Sequence, residues 1–175
     1  MLKKGRYKVL LNDRPIKYFL VLFLKIIILI MKKLKIAVAS DHAGFERKQT
    51  VLKYLQEQGI EMKDFGAFSA ESCDYPDFAH PLANAVSKGE FDFGITLCGS
   101  GNGINMTANK HDGIRSAICW LPEIAELARL HNDANICALP ARYITDKEAI
   151  EIVKIFLATG FEGGRHQNRI NKIPC

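Results

Sequence analysis

The sequence predicts an α/β fold, a Rossmann-like, doubly wound, five-stranded parallel sheet with helices on both faces. Five short strand-like runs, mostly apolar and one alternating, recur through residues 31–175, and segments of helical periodicity lie between them. Alternation of that kind builds parallel sheets wound in both directions, and runs of that length and character suit buried parallel strands. The third observation is the stretch Gly94-Ile95-Thr96-Leu97-Cys98-Gly99-Ser100-Gly101-Asn102-Gly103. There a β-prone run ends in a cysteine and passes through a glycine-rich turn into a helical pattern. In an open parallel sheet, ligands sit in the crevice beyond the carboxyl ends of the strands. Glycines at that place let backbone amides approach a ligand closely, and the start of the next helix favours an anion. Cys98 would stand at the lip of the crevice, where unpaired amides favour a thiolate. By itself the stretch implies an anionic ligand and specifies no reaction.

Lys35 to Ala39 reads as the first strand. Ser40-Asp41-His42-Ala43-Gly44 follows, then a helix with Phe45, Val51, Leu52 and Leu55 at its apolar positions, stopped near Gly59. Ile60 to Phe65 alternates as a second strand, and Gly66 to Tyr75, rich in small and polar residues, is a loop. Pro76 and Asp77 start a helix with Phe78, Leu82 and Val86 on one face and Gly89 beyond its end. Phe93 to Leu97 is the third strand, and Ile104 to Lys110 forms a helix after the glycine turn. Arg115 to Cys119 is the fourth strand, and Pro122, at a first helical position, opens a helix through Leu130. Asn135 to Leu139 is the fifth strand. Thr145 and Glu148 form a capping box ahead of Ala149, Ile152, Val153, Phe156 and Leu157. Gly163 to Arg169 is a polar, basic tail.

A chain of 175 residues accommodates one domain with a sizeable core. Its formal charge of +5 is unevenly placed. Residues 1–30 hold seven bases (Lys3, Lys4, Arg6, Lys8, Arg14, Lys17, Lys25) and one acid, Asp13; residues 31–175 hold 17 bases and 18 acids, a net charge of −1. That balance argues against a nucleic-acid partner. Within the leader, Tyr18 to Ile30 is strongly apolar, but Lys25 interrupts it. It falls short of the ~20 residues a transmembrane helix needs, and no small-residue cleavage site follows. The expected organisation is a leader over 1–30, read through upstream of a working start at Met31, and a single domain over 31–175. A membrane anchor is the alternative reading of the leader. The five cysteines (Cys73, Cys98, Cys119, Cys137, Cys175) are odd in number, dispersed and without a CxxC pair. They read as reduced thiols of a cytoplasmic enzyme, with Cys119 and Cys137 as core filler.

Four segments thus fall at strand ends or just beyond them: Asp41-His42, Cys98 to Gly103, His131-Asn132-Asp133 and Arg165 to Arg169. Ser40 to Gly44, Asp74-Tyr75-Pro76, Cys98 to Gly101, Ala108-Asn109-Lys110, Gly113-Ile114-Arg115, His131 to Asp133 and Gly163 to Gln167 follow one another in order. With these motifs the chain resembles the ribose-5-phosphate isomerase B family, which includes allose- and galactose-6-phosphate isomerases. The resemblance runs from about Lys33 to Ile173. It implies a metal-free, cofactor-free interconversion of ribose 5-phosphate and ribulose 5-phosphate through a cis-enediolate.

The resemblance also assigns roles. Cys98 matches the catalytic cysteine, the base that moves a proton between C1 and C2. Some members use a glutamate just beyond the glycine loop; Ile104 and Asn105 stand there, which supports the cysteine type. A free thiol titrates at about 8.5, so such a base needs amides that favour its thiolate. The backbone amides of Gly99, Ser100, Gly101, Asn102 and Gly103, with the Ser100 hydroxyl, would hold the enediolate oxygen. His131 matches the ring-opening histidine, and Asp41 would support or share that proton transfer. Arg165 and Arg169, spaced i and i+4, can present two forks to a phosphate dianion, with Arg142 and His42 as further phosphate contacts and Asn109 as a sugar contact. In the family the site lies between two subunits, so a homodimer or homotetramer is expected, with His131 and the arginines serving a neighbour's Cys98.

A hexose 6-phosphate is the alternative substrate. A non-catalytic sugar-phosphate-binding module is the alternative function, since fold does not fix function; such a module needs the arginines but not Cys98. A dinucleotide enzyme is disfavoured because the glycine motif follows the third strand, not the first. His80, His111 and His166 have no spacing that suggests a metal site.

Overall fold

The computed structural model describes residues 34–174. The expectations for residues 1–30 and for a start at Met31 lie outside the described residues, as does Cys175. Five strands, β1 (Lys35–Ser40), β2 (Glu61–Asp64), β3 (Phe93–Cys98), β4 (Ser116–Ile118) and β5 (Ile136–Pro140), form one parallel sheet in the order β2-β1-β3-β5-β4. Among the described residues six α-helices accompany it: α1 (Phe45–Glu57), α2 (Pro76–Ser87), α3 (Asn102–Ala108), α4 (Pro122–Asn132), α5 (Asp146–Ala158) and α6 (Arg165–Ile170). Every strand expected from the sequence is present, with ends moved by a residue or two. β4, the shortest, lies at the sheet edge and pairs with β5 alone, from Ser116↔Ile136 to Ile118↔Ala138.

Side chains alternate across the sheet, as strand geometry requires. Ile36, Val38, Ile95, Leu97, Cys137 and Leu139 pack with Val51 and Leu55 of α1, Ala125 of α4, and Ile152 and Phe156 of α5. On the opposite face Ala37, Ala39 and Ile136 meet Leu82, Ala83 and Val86 of α2 and Ala108 of α3. Cys98 belongs to this second face, beside Ala79, Ile104 and Ala138. Both faces are therefore covered, as the doubly wound reading requires.

From β1 the chain runs outward to β2 at one edge, and from β3 it runs to β4 at the other edge before returning to β5 between them. The strand order thus reverses between β1 and β3, and a crevice opens beyond their carboxyl ends. The loop after β2 is tied in beneath β1. Lys48 is fully buried, and its Nζ donates to both Asp64 carboxylate oxygens at 2.7 Å and to the Ala67 carbonyl at 2.6 Å. Ala67 N in turn donates to Ser40 O, the last residue of β1.

The capping box at α5 is present: Thr145 Oγ1 accepts from Glu148 N, and Glu148 Oε2 accepts from Thr145 N. The Thr145 bonds hold the Glu148 carboxyl below the usual carboxylate range. The polar tail is ordered into helix, as the i, i+4 spacing of Arg165 and Arg169 implied. α6 docks against α4 with His166 and Ile170 buried, so its apolar contact comes from two residues in six. Among the described residues, no helix is long and apolar enough to cross a membrane.

Candidate active site

A cavity of about 300 Å³ occupies the crevice between the ends of β1 and β3. Its floor is built by the backbone. Beyond the sheet, Ala141 N donates to Cys98 O at 2.9 Å and Arg142 N to Gly99 O at 3.1 Å, which prolongs the β3–β5 ladder. That extension lays the Arg142 guanidinium across Gly99. The turn then passes through Gly101 at φ 77°, a left-handed conformation that glycine adopts without steric cost. It aims the Gly101 N–H at the Cys98 sulfur, 3.1 Å away. Cys98 is buried yet lines the cavity, and a thiolate accepts such a bond more strongly than a neutral thiol does.

The opposite wall comes from the segment after β1. Asp41 N donates to Leu97 O, and Asp41 Oδ1 caps a short 3-10 turn by accepting from Gly44 N at 2.9 Å. His42 is anchored through Nδ1, which lies 3.1 Å from Cys73 O. Ser100 stands at the rim, with its Oγ 3.3 Å from Asn102 Nδ2. Two tyrosines complete the lining. The Tyr75 ring rests on Gly103 so closely that a β-carbon there would sit 2.5 Å from it, and Tyr143 projects at the mouth, 76% exposed. Sequence reasoning gave neither tyrosine a role. Tyr75 had a signal in the Asp74-Tyr75-Pro76 motif; Tyr143 had none beyond its nearness to Arg142.

Of the expected residues, the cavity unites Asp41, His42, Cys98, Gly99, Ser100, Gly103 and Arg142. Gly101 and Asn102 do not line it. The first gives its amide to the sulfur, and the second faces an apolar depression with Trp120, Leu121, Pro140 and Tyr143. Asn109 lies apart as well. Its Nδ2 donates to Asn105 O and Ser116 O, and its Oδ1 accepts from Ser116 N at 2.8 Å. Its amide thus ties α3 to β4, and the sugar contact expected of it finds no counterpart in this chain's own cavity.

His131, Arg165 and Arg169 form a second group, away from the cavity lining. α4 ends at Asp133 in a left-handed conformation (φ 45°). The Asp133 carboxylate is held at 2.8 Å by Arg115 on one oxygen and at 2.8 Å by Arg129 on the other. Asp133 and Arg115, both within the motifs read from the sequence, are therefore anchors for the helix end that carries His131. Glu162 N donates to Leu130 O, which brings the segment before α6 alongside. The rings of His131 and His166 then stack, with centroids 4.3 Å apart and planes within 5°. Arg165 Nε lies 3.4 Å from His166 Nε2, and Arg169 Nη1 lies 3.5 Å from His166 Nδ1. Burial first, and then the neighbouring His131, keep the His166 imidazole below the ordinary histidine range. Among the described residues, His131, Glu162 and His166 have donor atoms within 4.8 Å of one another, close enough to share a metal cation. The two guanidiniums on the His166 nitrogens oppose one. This proximity was invisible in linear spacing.

A family profile described as Ribose/Galactose Isomerase matches residues 36–173. The chain is 45% identical over 141 residues to ribose-5-phosphate isomerase B of Escherichia coli (strain K12), covering 81% of this chain and 95% of that protein. It superposes on the crystal structure of a ribose 5-phosphate isomerase from Thermotoga maritima with a TM-score of 0.80 and 51% identity, covering 81% of this chain and 98% of that one. Ribose-5-phosphate isomerase B from Mycoplasma genitalium, solved with bound ribulose-5-phosphate, gives a TM-score of 0.77 and 42% identity, with 80% of this chain and 93% of that one covered. The matched span takes in both the Cys98 crevice and the His131 group, and the chain belongs to the ribose/galactose isomerase family.

Proposed function

We propose that the protein interconverts ribose 5-phosphate and ribulose 5-phosphate, with Cys98 as the base. The observation that carries this reading is a buried thiol that receives an amide N–H and shares one small cavity with Asp41, His42 and Arg142. His131, assisted by Asp41, opens the furanose by moving a proton from the anomeric hydroxyl toward the ring oxygen. The Cys98 thiolate then takes the proton from C2 of the open aldose. Electron density moves to O1, giving the cis-enediolate; the O2 hydroxyl proton passes to O1, and return of the carbon proton to C1 as the C2 carbonyl forms completes the ketose. Ser100 and the turn amides stabilise the developing oxyanion. His42, Arg142, Arg165 and Arg169 hold the phosphate and keep the reacting carbons at the sulfur. The reaction is assigned to residues 31–175 and to a reducing, cytoplasmic setting, which suits the free thiols Cys73, Cys98, Cys119 and Cys137.

The working unit is a homodimer or homotetramer in which one copy's His131 and arginines serve another copy's Cys98. Two features support it. The catalytic set falls into two groups that do not line one cavity within the chain. Beside the cavity lies an apolar depression of Ile118, Trp120, Leu121, Pro140 and Tyr143, with Trp120 50% exposed, which is the kind of surface a partner covers.

Conversion of ribose 5-phosphate measured with a chelator present tests the reaction and its independence of metal together. Turnover confined to allose or galactose 6-phosphate would move the assignment to a hexose substrate. Binding without turnover of any of the three would favour a non-catalytic module. Mixing inactive Cys98→Ala and His131→Ala chains under conditions that exchange subunits should restore turnover; a mixture that stays inactive would refute the shared site.

A further inference from the structure

One buried imidazole has no part in the reaction described above. We propose that His166 is a positioning residue for that reaction. One face of its ring sets the plane of His131, and its unprotonated ring nitrogen holds one arginine of the Arg165 and Arg169 phosphate clamp. The inference rests on the roles assigned above to His131, Arg165 and Arg169.

The geometry makes His166 the one described residue in contact with all three. Its side chain is 5% exposed, against 38% for His131 and 54% for Glu162, so the surrounding packing fixes His166 and not its partners. The stacked rings, 4.3 Å apart and within 5° of parallel, leave His131 free to slide but not to tilt. On the other side, guanidiniums approach the His166 nitrogens at 3.4 and 3.5 Å. A guanidinium only donates, so a facing ring nitrogen serves it only without a proton. A neutral His166 accepts from one arginine, the tautomer deciding which; a protonated ring would present N–H groups to both. Burial, His131, Arg165 and Arg169 all favour the neutral form, and Glu162, whose Oε2 is 3.8 Å from Nε2, is the one group facing it that opposes them. One side chain thus touches both the proton-transfer residue and the phosphate clamp.

Two substitutions separate the two tasks in the full-length protein. His166→Phe keeps a flat ring against His131 and removes the acceptor nitrogen. It should raise KM about tenfold with kcat within about threefold of wild type. His166→Gln keeps an acceptor for the arginines and removes the stack. It should lower kcat about tenfold with KM within about threefold. Equal losses in both parameters for both variants would reduce His166 to a packing residue, and no change in either would remove its role. Wild-type NMR guards against variants that do not fold. The His131 ring protons should resonate upfield through the stacked imidazole, and their absence from that position would overturn the stack. His131→Ala is the control. If it keeps its kcat, the role assigned to His131 fails. If it loses kcat while His166→Gln does not, that role stands and only the present inference fails.

Discussion

The Cys98 crevice and the His131 group are made in opposite ways. The crevice is backbone work. Its floor is a continuation of the β3–β5 ladder through Ala141 and Arg142, its turn is set by Gly101, and its sulfur is held by an amide. The His131 group is side-chain work: a ring stack, two guanidiniums and an aspartate between two arginines, all at the ends of short helices. A site made of backbone tolerates change around it but not within it. A site made of side chains can be dismantled one interaction at a time. If the division is right, loss of the crevice thiol should all but abolish the chemical step, and substitutions in the second group should divide among ring opening, phosphate affinity and acid sensitivity.

The largest effect should come from Cys98→Ala. Losing the base should lower kcat by roughly 10²- to 10⁴-fold, while calorimetry still shows sugar phosphate binding. Retained turnover would remove the thiol from the mechanism and dissolve the contrast. Next, Lys48→Ala tests how far the crevice wall depends on what lies beneath it. Lys48 is fully buried but Asp64 keeps partial exposure and can rehydrate, so the cost should sit near the low end for a broken buried pair, about 3 kcal/mol in urea unfolding. A loss below about 1 kcal/mol, the range of a surface pair, would show that the loop holds β1 without the lysine. Arg169→Ala should be smaller still. One charge-assisted contact is worth about 1.5–3 kcal/mol, a rise in KM of roughly 10- to 150-fold with kcat nearly unchanged. An unaltered KM would mean that α6 does not clamp phosphate.

The same division explains what the amino-acid sequence reveals. Strands and most helices are legible because each is written locally: apolar runs of five or six, a proline at a helix start, Thr145 three residues before Glu148. The crevice is legible for the same reason, since Cys98 and its glycines are neighbours in sequence as well as in space. The strand order is not, because β5 inserts between β3 and β4 on the strength of contacts distant in the chain. Nor is the stack of His131 on His166, 35 positions apart, which no spacing rule connects. Asp133 shows the converse. It stands in a motif that resemblance marks as functional, and its carboxylate is occupied by Arg115 and Arg129.

The smallest expected effect is a dependence of stability on mild acid. His166 is held below its ordinary value of 6.5, by burial and then by His131. His111 is held below the same value, by burial and then by His80, whose Nδ1 lies 2.8 Å from its Nε2. Both rings are therefore neutral in the folded chain at pH values where the unfolded chain takes up a proton. Unfolding then binds protons, so stability is complete above about 6.5 and declines as pH falls from there toward the lower folded values. Glu148, also lowered, loses its contribution only further down, below its ordinary 4.5, so the histidine window is separable from it. Urea unfolding of wild type at about pH 7.5 and about pH 5.5 should show the decline, and His166→Phe should show less of it, with the His111 share remaining. An identical slope in the variant would mean that His166 is protonated in the folded state after all. A reduced slope would place part of the acid sensitivity in the group that side chains hold together, and outside the crevice that the backbone builds.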